Sequence, residues 1–392
     1  MSREWPLKSF WMAGFEGADH VNSHGMPLDM VALSHHDEHI EGDYRALSAW
    51  GVRTVRESMG WRLCERAGES AGRFDFGRVR RFIEAAHQHG MQIQWTLMHY
   101  GTPADVSLLD DTLCERFEAF AHAAAEVIAA CSKEAPVYTP INEIGFLAWA
   151  ASQTRLFHPY GKDDETAPGT TLNDGFNIKC RLVKAALAGM KAIRQVDPRA
   201  RFLHVEPIVH VVPPENRPDL QALADEVASY QWQVWDLFCG TLLPELGGHP
   251  EALDLIGVNH YHSGQWEVIT EKRLHWHLHD PRRRPLQEML QGVWSRYGRP
   301  LVIAETSHIG VGRSAWLNEV ADQVRQARGH GVPVEGVCLY PIVDRPDWDN
   351  LEHWHHSGMW DHLPGGDSGR ECRRQLDQGY AEALQGWMRR LP

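Results

Sequence analysis

Leu301-Val302-Ile303-Ala304-Glu305-Thr306-Ser307 is an apolar run that ends on a carboxylate. Four consecutive apolar residues, two of them β-branched, predict a strand buried on both faces, and such strands belong to parallel sheets covered by helices. The next stretch, Ala315–Gly329, has helical spacing, and Val334–Asp344 is another apolar run. Strand, helix, strand is the repeating unit of a parallel sheet. Outward from this stretch the unit recurs along the chain. Apolar runs stand at Phe10–Phe15, Val52–Ser58, Gln92–His99, Pro136–Glu143, Arg201–Pro207 and Leu253–Tyr261. Helical patterns lie between them, among them His36–Trp50, Asn173–Val196, a helix ending near Phe238, and Leu286–Tyr297. A last helix carries Tyr380, Leu384, Trp387, Met388 and Leu391 on one face. Eight alternations predict a single (β/α)8 barrel over residues 1–392, an α/β fold whose usual size range includes this length. The longer loops are expected at Tyr160–Leu172, Val211–Asp219, His262–Arg284 and Arg345–Asp367.

Composition excludes several function classes. Lys and Arg total 39 against 52 Asp and Glu, a formal charge of −13, whereas nucleic acids and anionic membranes select a cationic face. No apolar run reaches the roughly 18 residues of a membrane span. The N-terminal Met-Ser-Arg-Glu-Trp-Pro-Leu-Lys lacks the apolar core of a secretory signal, so a cytoplasmic location is expected. Seven widely spread cysteines without a Cys-x-x-Cys pair predict reduced thiols and no structural zinc site. The 16 Trp are informative, because a Trp ring offers an apolar face suited to sugar C–H groups, although core packing explains any single one.

In such a barrel the reactive groups gather at the C-terminal ends of the strands. Read in order, the strand ends deliver Glu16, Asp19 and His20; Arg56 and Glu57; His99; Asn142 and Glu143; Glu206; Asn259, His260 and Tyr261; Glu305; and Tyr340 and Asp344. Glu143 and Glu305 end different strands and so face one cavity. Two carboxylates flanking a glycosidic bond suffice for glycoside hydrolysis, one protonated and one ionised. Arg56 is placed to hold the ionised one, and Tyr261 to orient it by a hydrogen bond. Glu206 either binds the aglycone or pairs with Arg56.

These residues also carry a resemblance. Val-Arg-Glu-Ser-Met-Gly-Trp (55–61) resembles Y-R-F-S-x-x-W, and Thr-Leu-Met-His-Tyr-Gly-Thr-Pro (96–103) resembles T-L-x-H-W-D-x-P. Tyr-Thr-Pro-Ile-Asn-Glu (138–143) resembles T-x-N-E-P, and Asp-Leu-Ile-Gly-Val-Asn-His-Tyr (254–261) resembles D-x-I-G-x-N-Y-Y. Ile-Ala-Glu-Thr (303–306) resembles I-T-E-N-G, and Tyr-Pro-Ile-Val-Asp-Arg-Pro-Asp-Trp (340–348) resembles W-S-L-x-D-N-F-E-W. These are motifs of the clan A retaining glycoside hydrolases, most like family 1, the β-glucosidase family, here in a divergent and shorter form. The resemblance implies a retaining β-glycosidase on a (β/α)8 barrel, with Glu143 as acid/base and Glu305 as nucleophile. It implies a sugar site lined by Arg56, His99, Asn142, Asn259 and Tyr261, with Tyr340 from the last strand and Asp347 and Trp348 from the loop after it. Glu16 or Asp19 stands where the family has a first-strand Gln. Ile144 and Thr306 replace a family Pro and Asn, and Arg345, Pro346 and Asp347 replace Asn, Phe and Glu, which implies a glycone other than plain glucose.

A carbohydrate substrate is thus expected, with no nucleic acid, membrane, metal or organic cofactor; a homo-oligomer is left open. Three His runs, His35–His39, His275–Asp280 and His353–His356, have metal-like spacing but fall at a helix start and in loops, not at strand ends. A metal-dependent hydrolase and a sugar-binding barrel without catalysis are the rival readings.

Overall fold

The computed structural model describes residues 5–68, 71–161, 175–363 and 373–391. Its centre is a closed barrel of eight parallel strands in sequential order. They are β1 (Trp11–Gly14), β2 (Thr54–Ser58), β3 (Gln92–Met98), β4 (Val137–Ile141), β5 (Arg201–Pro207), β6 (Leu255–Asn259), β7 (Leu301–Thr306) and β8 (Val334–Leu339). The expected (β/α)8 barrel is therefore the observed fold. The surrounding helices are α1 (His36–Ala49), α2 (Gly77–His89), α3 (Thr112–Cys131), α4 (Gly175–Val196), α5 (Gln233–Cys239), α6 (Leu286–Tyr297), α7 (Arg313–Gly329) and α8 (Gln378–Met388).

The apolar runs form strands because both faces are covered. Every residue of β2, β4, β6 and β7 is buried. Outward side chains such as Val55, Trp95, Tyr138, Ile256, Ile303 and Val337 join one large core with the helices. Inward ones, among them Met12, Val137, Leu203, Leu255, Val302 and Cys338, form a smaller core that fills the barrel floor. β1 and β8 approach closely above that floor, where a Cβ on Gly14 would stand 2.2 Å from the Tyr340 ring.

Two details depart from expectation. The helix ending near Phe238 is two helices, Gln221–Ser229 and α5, joined by the turn Tyr230–Trp232. The loops after β5 and β6 are not wholly irregular, since His210–Val212 and Gln265–Glu267 pair as a small parallel sheet. Most of the loop Tyr160–Leu172, the start of the expected helix at Asn173, and Cys372 lie outside the described residues. The other six cysteines form no disulfide among the described residues. Among the described residues, no helix is long and apolar enough to cross a membrane.

Candidate active site

Strand pleating decides which predicted side chains reach the lumen. On β2, Val55 and Glu57 point outward and Arg56 inward. Glu57 lies among the helices, accepting hydrogen bonds from Tyr44 (2.7 Å) and bonding His36 (3.0 Å), so it leaves the site. Glu206 corrects both readings made for it. It accepts from the Gly145 amide at 2.9 Å and faces Lys179 on α4, with no bond to Arg56. Burial pushes its carboxyl up to about 8. His260 stacks on Trp316 with ring centroids 5.3 Å apart, again on the helix side.

Glu305 reaches the lumen by a backbone irregularity. Val302 and Ala304 point inward, so strict alternation would send Glu305 outward. The register with both neighbours slips here: Val258 pairs Ile303 and Asn259 pairs Glu305, while Val337 pairs Ile303 and Leu339 pairs Thr306. One extra residue on β7 forms a bulge that re-aims the side chain. Glu143, just past β4, is set differently. It adopts a left-handed φ of 44° and starts the helix Ile144–Gln153, its amide donating to Val205 O at 3.0 Å. A non-glycine residue in that region persists only where its surroundings hold it.

The two carboxylates carry different partners. Glu305 Oε1 accepts from Arg56 Nη1 at 2.5 Å, and Oε2 from the Tyr261 hydroxyl at 2.8 Å. Glu143 Oε1 accepts from Asn259 Nδ2 at 2.8 Å, and Oε2 from the Tyr100 hydroxyl. Among the described residues no cationic side chain pairs with Glu143. Burial, and then the charge of Glu305, raise its carboxyl to about 7, against opposing hydrogen bonds from Tyr100 and Asn259 and the charge of Arg56.

A continuous polar network supports both. Arg56 also donates to Asn142 Oδ1 at 2.6 Å and to Thr96 Oγ1 at 3.2 Å. This fixes the Asn142 amide so that its nitrogen faces His99 Nε2 (3.1 Å) and the Tyr100 hydroxyl (3.2 Å). Burial and the nearby Arg56 hold His99 well below the usual imidazole range, so it is neutral. With Nε2 accepting from Asn142, Nδ1 carries the proton toward the Tyr340 hydroxyl at 3.3 Å. Tyr340 in turn donates to Glu16 Oε1 at 3.3 Å, and Arg345 pairs with Glu16 Oε2 at 3.0 Å.

The structure thus joins Glu143, Glu305, Arg56, His99, Asn142, Asn259, Tyr261, Tyr340 and Glu16 in one network. Asp19 sits beside it, its Oδ1 accepting from the Gly101 amide at 2.9 Å. Trp348 closes one side, 4.8 Å from His20 and 5.9 Å from Tyr100 between ring centroids. Asp347 is turned away into its own loop. It accepts from the amides of Asp349 (2.9 Å) and Asn350 (3.0 Å), and its other oxygen bonds His355 at 3.1 Å. Tyr100 and Arg345 are the residues the site reading omitted. Tyr100 follows His99 at a strand end and stands at the Trp position of the resembled T-L-x-H-W-D-x-P, the two signals the sequence offered for it. Buried polar atoms around the network without a partner among the described residues include Asn259 Oδ1, both nitrogens of His20, Trp348 Nε1 and Asp19 Oδ2.

No family model and no curated protein matches this chain. Solved structures do. The AHE enzyme from Alicyclobacillus herbarius is 15% identical over 100% of both chains, with a TM-score of 0.72. The family 1 β-glucosidase from Thermotoga maritima is 14% identical over 96% of both chains, with a TM-score of 0.70. The virulence factor SghA, solved with its substrate analog salicin, is 14% identical over 96% of this chain and 95% of its own, with a TM-score of 0.71. The fold of this chain is the fold of these three structures, at 14–15% sequence identity.

Proposed function

We propose that this protein hydrolyses β-linked glycosides with retention of configuration, Glu143 serving as acid/base and Glu305 as nucleophile. The observation that carries the reading is the unequal pair of carboxylates: Glu305 is held by a guanidinium and a phenol, while Glu143 is raised to about 7 and so keeps a substantial protonated fraction near neutrality. That is the division of labour double displacement needs. Glu305 Oε attacks the anomeric carbon as the C–O bond to the leaving group breaks, and the Glu143 proton passes to the departing oxygen. Glu143, now a carboxylate, takes a proton from water as that water attacks the glycosyl ester, releasing the sugar and free Glu305.

The unpartnered atoms of Asn259, His20 and Trp348 support a ligand rich in hydroxyls, because buried polar groups are otherwise almost always bonded. The Trp348 ring supplies an apolar face beside them. Phe146, 5.6 Å from Tyr100, and the exposed Trp149, 5.8 Å further on, continue an aromatic track outward along the helix after Glu143, suited to the aglycone. The reading needs no metal: Arg56 and Tyr261 hydrogen-bond the two oxygens of Glu305, and Asn259 and Tyr100 those of Glu143.

Intact-mass measurement with dinitrophenyl 2-deoxy-2-fluoro β-glycosides tests the proposal. Fluorine at C2 slows both steps and the activated leaving group restores the first, so the covalent glycosyl–enzyme accumulates. The expected result is one adduct, mapping to Glu305. Turnover of unfluorinated glycosides with inverted product, or an adduct elsewhere, overturns it.

A further inference from the structure

Beyond the candidate active site, the loop that follows β8 brings two carboxylates and an imidazole together. Asp344 is fully buried; its Oδ1 accepts from the Ser357 amide at 3.0 Å, while its Oδ2 has no hydrogen-bond partner among the described residues. That free oxygen stands 3.8 Å from His356 Nδ1, which stands 3.4 Å from Asp361 Oδ1, and all three donor atoms lie within 4.8 Å of one another. Neither contact of His356 Nδ1 is a hydrogen bond, since both exceed the N–H···O range, and one N–H cannot serve two carboxylates.

We propose that Asp344, His356 and Asp361 bind one divalent transition-metal ion of the zinc class. An ion with ligand distances of about 2.0–2.2 Å in tetrahedral geometry holds its donors about 3.3–3.6 Å apart, close to the spacing of this trio after small adjustments. Two carboxylates and an imidazole suit zinc better than calcium or magnesium, which prefer oxygen alone. Local charge agrees. Arg313 donates to both oxygens of Asp361 (2.7 and 3.3 Å) and to Asp377 (2.7 Å), whereas Asp344 has no arginine or lysine side chain in hydrogen-bond contact among the described residues, and burial raises its carboxyl, a cost that a bound cation would offset. Both carboxylate ligands are already oriented by other donors, Asp344 by Ser357 and Asp361 by Arg313, as metal ligands commonly are. His356 is half exposed and gives the ion a path from solvent. The site joins the two ends of the loop that carries Arg345 and Trp348, so the ion acts as a clip on that loop and takes no part in the chemistry.

Calorimetric titration of the EDTA-treated, desalted full chain with zinc chloride tests this, alongside thermal unfolding with and without zinc. Wild type and His353→Ala are expected to bind one equivalent and to unfold at a higher temperature with zinc. Removing an outer partner of a metal ligand already weakens affinity about 10–100-fold, so His356→Ala, at an exposed position, is expected to bind at least about 100-fold more weakly and to lose the thermal shift. Asp344→Asn is expected to do the same if it folds. Equal zinc binding by wild type and His356→Ala would assign the metal to other histidines and overturn the site. So would absence of binding at millimolar zinc, or calcium binding as tightly as zinc. Because the readouts are binding and unfolding, they stand or fall apart from the glycosidase reading.

Discussion

The floor of the candidate site and the loop after β8 are built on opposite principles. On the floor, side chains leave strand ends whose direction the barrel fixes, and Arg56 alone ties β2 to Asn142 beyond β4 and to Glu305 on β7. In the loop, position follows from side chains bonding nearby backbone: Asp347 accepts the amides of Asp349 and Asn350, and Asp344 that of Ser357. The comparison teaches that matching a residue to a motif predicts where its side chain lies on the floor, where geometry is inherited from the sheet, and fails to do so in the loop, where a single changed side chain redirects it. Arg345 and Asp347 replace the Asn and Glu of the resembled motif. One reaches back to Glu16 and the other folds onto its own turn.

The largest effect tests the floor. Glu305→Ala is expected to lower turnover of every glycoside by at least about 10⁴-fold, as removal of a nucleophile does. Glu143→Ala is expected to lower turnover of unactivated glycosides comparably but to spare glycosyl–enzyme formation from dinitrophenyl glycosides, which need no proton, and added azide is expected to restore part of the rate. Steady-state kinetics on both substrate types, with and without azide, separates the two. Equal loss in Glu143→Ala on both, with no azide response, would break the assignment and with it the contrast between the carboxylates.

The next effect reads the same floor through pH. Glu143 is raised to about 7, so the acid form it must supply is lost as pH rises through that value, and kcat/KM is expected to fall on that side. The sign for stability is the same: a carboxyl raised above its ordinary value in the folded state favours folding at low pH, a contribution lost as pH rises toward 7. The Tyr100 hydrogen bond holds Glu143 down, so Tyr100→Phe is expected to move the basic limb to higher pH. An unchanged limb in Tyr100→Phe would show that Glu143 does not govern it.

How much of this was legible follows from the same contrast. The apolar runs and their spacing carried the barrel, because strands buried on both faces leave no choice but a helix-covered parallel sheet. Glu143, Glu305, Arg56, Asn142 and Tyr261 were legible as strand-end polar residues in otherwise apolar segments. What was not legible is geometry that one residue decides. The β7 bulge sends Glu305 inward although pleating from Val302 and Ala304 would send it outward. Pleating places Glu57 and Glu206 among the helices although both end apolar strands as Glu305 does. Tyr100 has φ 82°, a backbone state no pattern of hydrophobicity announces, and its hydroxyl reaches Glu143.

In the loop the expected effects are smaller and fall on binding. Trp348 presents its ring beside His20 and Tyr100 with its N–H unpartnered, so Trp348→Ala is expected to raise KM about tenfold with kcat changed less, in line with the roughly 1–1.5 kcal/mol an aromatic face contributes. A fall confined to kcat would place the ring against the reacting centre instead.

The smallest effect is the sharpest test of the comparison. The resembled motif places an acid at position 347 to hold the outer hydroxyls of the sugar. Here both Asp347 oxygens are occupied inside the loop, two amides on one and His355 on the other. Those bonds hold its carboxyl below the ordinary range against the opposing effect of burial. A carboxylate so engaged has little left to offer a ligand, and freeing it would break a turn closed by two backbone amides. Asp347→Asn keeps the amide-accepting oxygen and removes only the charge facing His355, so KM and kcat are each expected to change less than about threefold, the scale of a partly exposed ion pair. A tenfold rise in KM with an unchanged melting temperature would mean that the loop opens and delivers Asp347 to the sugar. The division between a floor set by the sheet and a loop set by itself would then fail at the residue where the two meet.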